Sequence, residues 1–213
     1  MKCLLICGGE FFNAPDSLYK QADYVIACDK GYEYAKKLGF MPDLIIGDFD
    51  SCKIAPEEEF LKENACAKII RLPTDKDDSD TMAGVKKGIE QGCTDFTLIC
   101  AAGGRFDHFF CNIQTLSYIA ERFGKATLIS ETEEITVIKN TVVEIPRREG
   151  WTLSVFSLCD KSLGVTEKGT RWQLNGEVMQ QNAPYGLSNE WAAETATIGV
   201  EEGTLIIILS KEK

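Results

Sequence analysis

Asp48-Phe49-Asp50-Ser51 closes the apolar run Leu44-Ile45-Ile46-Gly47 with two carboxylates one residue apart. If the chain stays extended there, residues i and i+2 share a face about 6.5 Å apart, at roughly 3.3 Å of rise each. Acids held that close raise each other's pKa unless something positive lies between them. A hard, oxygen-preferring cation such as Mg2+ is one solution, and a solvated turn closing a strand is the other reading. The two residues by themselves leave both readings open.

Other segments carry comparable chemistry. Asp29-Lys30-Gly31 follows the apolar run Tyr24 to Cys28, where Asp either caps a helix or offers a carboxylate to a metal or substrate. In Asp75-Lys76-Asp77-Asp78-Ser79-Asp80 the helix macrodipole accounts for one or two acids, not the whole run. Lys76 can meet a phosphate oxygen there while an acid holds a metal. Gly103-Gly104-Arg105-Phe106-Asp107 is a glycine-rich loop ahead of a helix, suited either to phosphate held by backbone N–H groups and clamped by Arg105, or to a plain turn capped by Asp107. His108 beside it suits a supporting or packing role better than that of general base. Neither a dinucleotide fingerprint nor a P-loop occurs. Trp172, with Ser188 and Asn189 near a turn, either stacks on a flat heterocycle or is a core Trp beside an ordinary turn; the residue chemistry leans to the latter.

These groups need elements to position them. Short apolar runs at Cys3–Cys7, Tyr24–Cys28, Leu44–Ile46, Lys68–Leu72, Phe96–Cys100 and Lys125–Ile129, bounded by Gly, Pro and Asp, read as parallel strands buried on both faces. Helical spacing fits Tyr32–Leu38, Ser79–Gln91 and Asp107–Arg122 between them. The pattern predicts an α/β fold: an N-terminal open, mostly parallel sheet with helices on both faces. After about residue 130 the segments Ile135–Ile138, Thr141–Ile145, Trp151–Phe156, Glu194–Val200 and Thr204–Leu209 read as a smaller C-terminal antiparallel β sandwich or barrel. The expected domains are therefore 1–130 and 131–213. Asp29, Asp48, Asp50, the 75–80 run and the 103–107 loop all follow expected strands, on the edge where open parallel sheets bind ligands.

Composition narrows the partners. The formal net charge is −10 and no basic stretch could track a phosphate backbone, which argues against nucleic acid. No run approaches the ~20 apolar residues of a membrane span, and Met1 to Gly9 reads as a first buried strand rather than a signal peptide. There are nine cysteines, no Cys-x-x-Cys and one histidine, so zinc is disfavoured and a reduced, cytoplasmic protein is the simplest expectation.

Together, Pro42 to Ser51, Lys76 to Asp80, Gly103 to His108, and Ser188-Asn189-Glu190 after Trp172 resemble the thiamine pyrophosphokinase (thiamine diphosphokinase) family, in its order and across nearly the whole chain. The resemblance implies an ATP- and Mg2+-binding α/β domain and a β-rich thiamine-binding domain. It implies a homodimer with active sites at the subunit interface, and transfer of the diphosphoryl group of ATP to the thiamine hydroxyl with release of AMP. It assigns Asp48, Asp50 and Asp80 to catalysis, and Asp29, Asp48, Asp50 and Asp80 to Mg2+. Asp29, Lys76, Asp77, Gly103, Gly104, Arg105 and Asp107 fall to the nucleotide, and Ser79, Trp172, Ser188 and Asn189 to thiamine. Two departures stand out: Lys30 where the family usually has Gly, and Ser79 where Thr is common. The rival readings are a haloacid-dehalogenase-type Mg2+ phosphatase, which also uses Asp-x-Asp after a strand, and a non-catalytic nucleotide- or thiamine-binding module.

Overall fold

Apolar runs too short for helices become strands, largely buried on both faces except at the terminal strand Lys68–Arg71, whose isoleucines are only half-buried. In the computed structural model, which describes residues 1–50, 52 and 67–212, β1 (Lys2–Ile6), β2 (Tyr24–Cys28), β3 (Leu44–Gly47), β4 (Lys68–Arg71) and β5 (Asp95–Ile99) pair in parallel in the order β4-β3-β2-β1-β5. Ser51 of the acidic motif and Cys66 lie outside the described residues. The strand period of two sorts the side chains. Leu4 and Ile6 join a cluster with Val25, Tyr34, Ala35 and Ile99, while Leu5 and Ile26 turn toward Gly84 on the other side.

Four described helices follow: α1 (Asp16–Lys20), α2 (Gly31–Leu38), α3 (Asp80–Glu90) and α4 (Phe106–Phe123). The five-residue α1 carries too short a pattern to be read from sequence. α2 stops at Gly39, whose left-handed φ of 71° lets its N–H reach the last carbonyls of the helix. α3 lies close on the sheet because it presents glycines: a Cβ at Gly84 would fall 2.6 Å from Cys28 Sγ, and one at Gly88 2.8 Å from the Phe96 ring.

The chain divides into one unit of Met1–Thr115 with Leu128–Glu131 and a second of Leu116–Thr127 with Thr132–Lys213; the division passes through α4 and β6 (Lys125–Ile129). The second unit holds β7 (Glu133–Lys139), β8 (Val142–Pro146), β9 (Trp151–Ser157), β10 (Lys161–Lys168), β11 (Leu174–Gln180), β12 (Thr195–Gly199) and β13 (Thr204–Lys211). β7-β13-β9 pair antiparallel, as do β11-β10-β12-β8. Leu153, Val155, Leu205 and Ile207 from the first set meet Val165, Met179, Ala196 and Ile198 from the second in one core, which makes this unit a sandwich. β10 and β11 had no sequence signature as strands. Their apolar content is low, and the pairing between them shifts register around Gly164, which blurs the alternation.

Candidate active site

The candidate acids of the first unit stand in the loops that follow strands. Asp29 follows β2, Asp48 and Asp50 follow β3, and the 75–80 run lies between β4 and α3. Asp29 and Phe49 both take left-handed backbone conformations, φ 48° and 62°, which side-chain-bearing residues rarely adopt. Phe49 is anchored in that conformation: it is buried with Tyr32 and Ile45, and the Arg71 guanidinium lies 5.0 Å from its ring centroid. With Phe49 turned inward, its neighbours Asp48 and Asp50 turn outward. Arg71 Nη1 also donates to the Asp48 carbonyl at 2.8 Å, and the Asp29 N–H donates to the Ile46 carbonyl at 2.8 Å. Gly47 lets the two strand ends approach, since a Cβ there would lie 2.9 Å from Asp29 Cα.

Asp29, Asp48 and Asp50 consequently each place a carboxylate oxygen within 4.8 Å of the others. Three hard oxygen donors at that spacing suit a divalent cation of the Mg2+ type. Asp80 is linked to this trio through Lys76. The Lys76 ammonium lies 2.8 Å from Asp48 Oδ2 and 3.0 Å from Asp80 Oδ1, the second contact lacking the alignment of a hydrogen bond. The hydrogen bond from Lys76 holds the Asp48 carboxyl below its ordinary pKa against the opposing pull of burial. Burial pushes Asp80 upward; Lys76 opposes the shift, and the Asp48 and Asp29 charges add to it. Burial draws the Lys76 pKa down, but its contacts with Asp48 and Asp80 outweigh that and leave it raised. The sequence placed Lys76 toward phosphate; here the same ammonium bridges two acids.

The neighbouring candidates divide. The Ser79 hydroxyl caps α3 by accepting from the Met82 N–H at 3.2 Å, and Asp78 pairs with Lys86 at 2.6 Å, whereas Asp77 is exposed. Lys30, the departure from the family pattern, sends its ammonium over the Tyr34 ring at 5.6 Å from the centroid. Gly103 and Gly104 both have φ near 70°, at 74° and 67°, in the loop after β5. The Gly9 and Glu10 N–H groups tie this loop to the end of β1 by donating to the Cys100 and Ala102 carbonyls. β1 is flanked by β2 and β5, so this is the point where the strand order reverses and open sheets leave a crevice. Arg105 forks onto Asp107 with contacts of 3.1 and 2.5 Å, both residues exposed. That pairing holds the Asp107 carboxyl down at about 2. His108 is exposed rather than packed.

The second unit contains a separate pocket of about 260 Å3, lined by Glu167, Trp172, Leu174, Tyr185, Leu187 and Asn189, among others. Trp172 is 55% exposed on its wall, not in the core; Trp191 is the buried indole. Ser188, at φ 53°, hangs from the Ser154 hydroxyl by its N–H. The buried Asn189 amide accepts from the Trp172 N–H at 3.1 Å and donates to the Trp172 carbonyl at 2.6 Å and to Glu167 Oε2 at 2.9 Å. Sequence reasoning missed Glu167. It sits in β10, the strand that could not be read, and its only local signal was an acid in an alternating segment.

Comparison with known proteins also divides the chain in two. A family model described as "Thiamin pyrophosphokinase, catalytic domain" matches residues 15–128, and one described as "Thiamin pyrophosphokinase, vitamin B1 binding domain" matches residues 140–205. Thiamine pyrophosphokinase of Bacillus subtilis (strain 168) is 26% identical over 188 residues, covering 88% of this chain and 87% of that one. Thiamine pyrophosphokinase 1 of Oryza sativa subsp. japonica is 29% identical over 174 residues, covering 76% of this chain and 64% of that one. Among solved structures, that of thiamine pyrophosphokinase from Bacillus subtilis superposes with a TM-score of 0.87 at 24% identity, covering 100% of both chains. That of thiamin pyrophosphokinase from Candida albicans gives 0.73 at 19% identity, covering 99% of this chain and 89% of that one.

Proposed function

The chain belongs to the thiamin pyrophosphokinase family, and on that footing we propose that it transfers the diphosphoryl group of ATP to the hydroxyl of thiamine, giving thiamine diphosphate and AMP. The observation that carries this reading is the convergence of Asp29, Asp48 and Asp50 beside Lys76, within the stretch that matches the catalytic domain. A phosphatase or a binding module accounts for neither the paired family models nor the full set of acids.

In this reading residues 1–130 bind ATP and residues 131–213 bind thiamine. Asp29, Asp48, Asp50 and Asp80 form the acidic centre for Mg2+, with Lys76 setting the charge between Asp48 and Asp80. The bound Mg2+ supplies positive charge against the phosphates and the departing AMP. Asp77, Gly103, Gly104, Arg105 and Asp107 serve the nucleotide; Arg105 exchanges its Asp107 partner for phosphate. Ser79, Trp172, Ser188 and Asn189 serve thiamine. The thiamine hydroxyl oxygen attacks the β-phosphorus in line, and the bond from that phosphorus to the oxygen shared with the α-phosphate breaks. The electron pair leaves with AMP, and one of Asp48, Asp50 and Asp80 accepts the hydroxyl proton. In-line positioning contributes much of the acceleration.

A homodimer fits the wall of the thiamine pocket. Trp172, Tyr185 and Leu187 are 55%, 52% and 68% exposed, and a second subunit would cover them. The free thiols of Cys3, Cys7, Cys28, Cys93 and Cys100 in the core support a reducing, cytoplasmic setting. No helix among the described residues is long and apolar enough to cross a membrane. Incubation with ATP, Mg2+ and thiamine tests the reaction: AMP and thiamine diphosphate should appear in equal amounts. ADP with thiamine monophosphate would overturn diphosphoryl transfer, and thiamine binding without ATP consumption would overturn catalysis.

A further inference from the structure

Glu167 is only 1% exposed, on a strand facing the sandwich core. A buried carboxylate without a cationic partner is costly, and among the described residues no cation reaches this one. Oε2 accepts from Asn189 Nδ2 at 2.9 Å, and Oε1 has no protein partner among the described residues. A glutamine would accept the same hydrogen bond without placing a charge in the interior. The carboxyl group therefore brings the fold nothing that an amide could not, while it lines the pocket walled by Trp172, Tyr185 and Leu187.

The lining, two aromatic rings beside a carboxyl and an amide, suits a flat ring with a polar edge. Thiamine carries two rings. The thiazolium bears the hydroxyethyl arm, which must remain outside the pocket to be phosphorylated, so the aminopyrimidine enters. Its exocyclic amine is a donor beside a ring-nitrogen acceptor. An ionised carboxyl oxygen accepts from that amine and repels an oxo group put in its place. Burial pushes Glu167 up to about 7, against the Asn189 hydrogen bond, and a donor on the free oxygen favours the ionised form. Asn189 and its contacts with Trp172 fix the carboxyl plane.

We propose that Glu167 is the specificity-determining residue of this pocket, its free oxygen pairing with the amino edge of the thiamine pyrimidine while Asn189 holds the other oxygen. This rests on the thiamine reading given above. The test is calorimetric affinity for thiamine and for oxythiamine, in which an oxo group replaces the exocyclic amine. Wild-type protein, Glu167→Gln and Glu167→Ala are compared. The wild type should prefer thiamine by roughly 10- to 100-fold, the range expected for one hydrogen bond to a charged group. In both variants that ratio should fall toward one. Variants that lose affinity for both compounds equally would reduce Glu167 to a support for Asn189 and overturn the proposal.

The wild-type comparison needs no variant to fold. Equal binding of the two compounds by a wild type that makes thiamine diphosphate overturns the role of Glu167 alone. A wild type that binds neither compound and releases no AMP overturns the thiamine reading and this proposal with it.

Discussion

At the scale of single residues, the site depends on how charge is distributed. Asp48 and Asp80 share one ammonium, yet their carboxyls are shifted in opposite directions, Asp48 downward and Asp80 upward. In the proposed mechanism the acids act through charge rather than packing, so Asp50→Asn or Asp80→Asn should abolish AMP formation while circular dichroism and gel filtration remain those of the wild type. Wild-type turnover in both would refute the site. Glu167 gives the opposite kind of prediction. Its folded pKa of about 7 lies above the ordinary 4.5, so the proton is bound more tightly in the folded state. The associated stability is complete below about 4.5 and is lost as pH rises through about 7. Glu167→Gln should therefore match the wild type near pH 4 and exceed it at pH 8, by at most about 3 kcal/mol for that shift. Thermal melts of ligand-free protein at the two pH values would measure this. A variant that is uniformly less stable would contradict it.

At the scale of elements, strand ends and helix starts decide where the acids go. Gly47 is one such constraint, since a methyl group there would meet Asp29 Cα at 2.9 Å. Gly47→Ala should push β2 and β3 apart at their ends, lowering stability by roughly 1–3 kcal/mol and turnover much more than stability alone explains. Ser79→Ala provides the contrast. It removes the cap on Met82, so it should cost about 1 kcal/mol in denaturant unfolding. The parallel strands were legible because continuous burial leaves a local mark, whereas a cap at Asp29 does not form, α2 starting after Lys30 without a side-chain cap. β10 and β11 were not legible, because a bulged, polar strand pair has no clean period, and Glu167 went unread with them.

At the scale of the whole molecule, a chain of net charge −10 has to accept a polyphosphate. A divalent cation at Asp29, Asp48 and Asp50 would relieve that conflict and, by binding the folded state, stabilise it. Mg2+ at about 100 times its dissociation constant should add roughly 2.7 kcal/mol. The melting temperature should rise accordingly, and Asp50→Asn should remove the rise. An identical increase in that variant would place the cation elsewhere.

The sequence by itself determined the α/β order, the β-rich second half, the family and most of the acids, because apolar periodicity, glycine-bounded runs and short polar motifs are written locally. It left Trp172 undecided between core and surface and assigned Lys76 to phosphate. Only the tertiary structure settled which indole is buried, set Lys76 between Asp48 and Asp80, and paired Arg105 with Asp107. Those outcomes depend on distances between residues far apart in the chain, or on the direction a side chain takes, and neither leaves a trace in local pattern. Asp48-Phe49-Asp50 shows both sides. Its acids were visible at once, but their convergence with Asp29 exists because Phe49 is buried and Gly47 lets Asp29 approach.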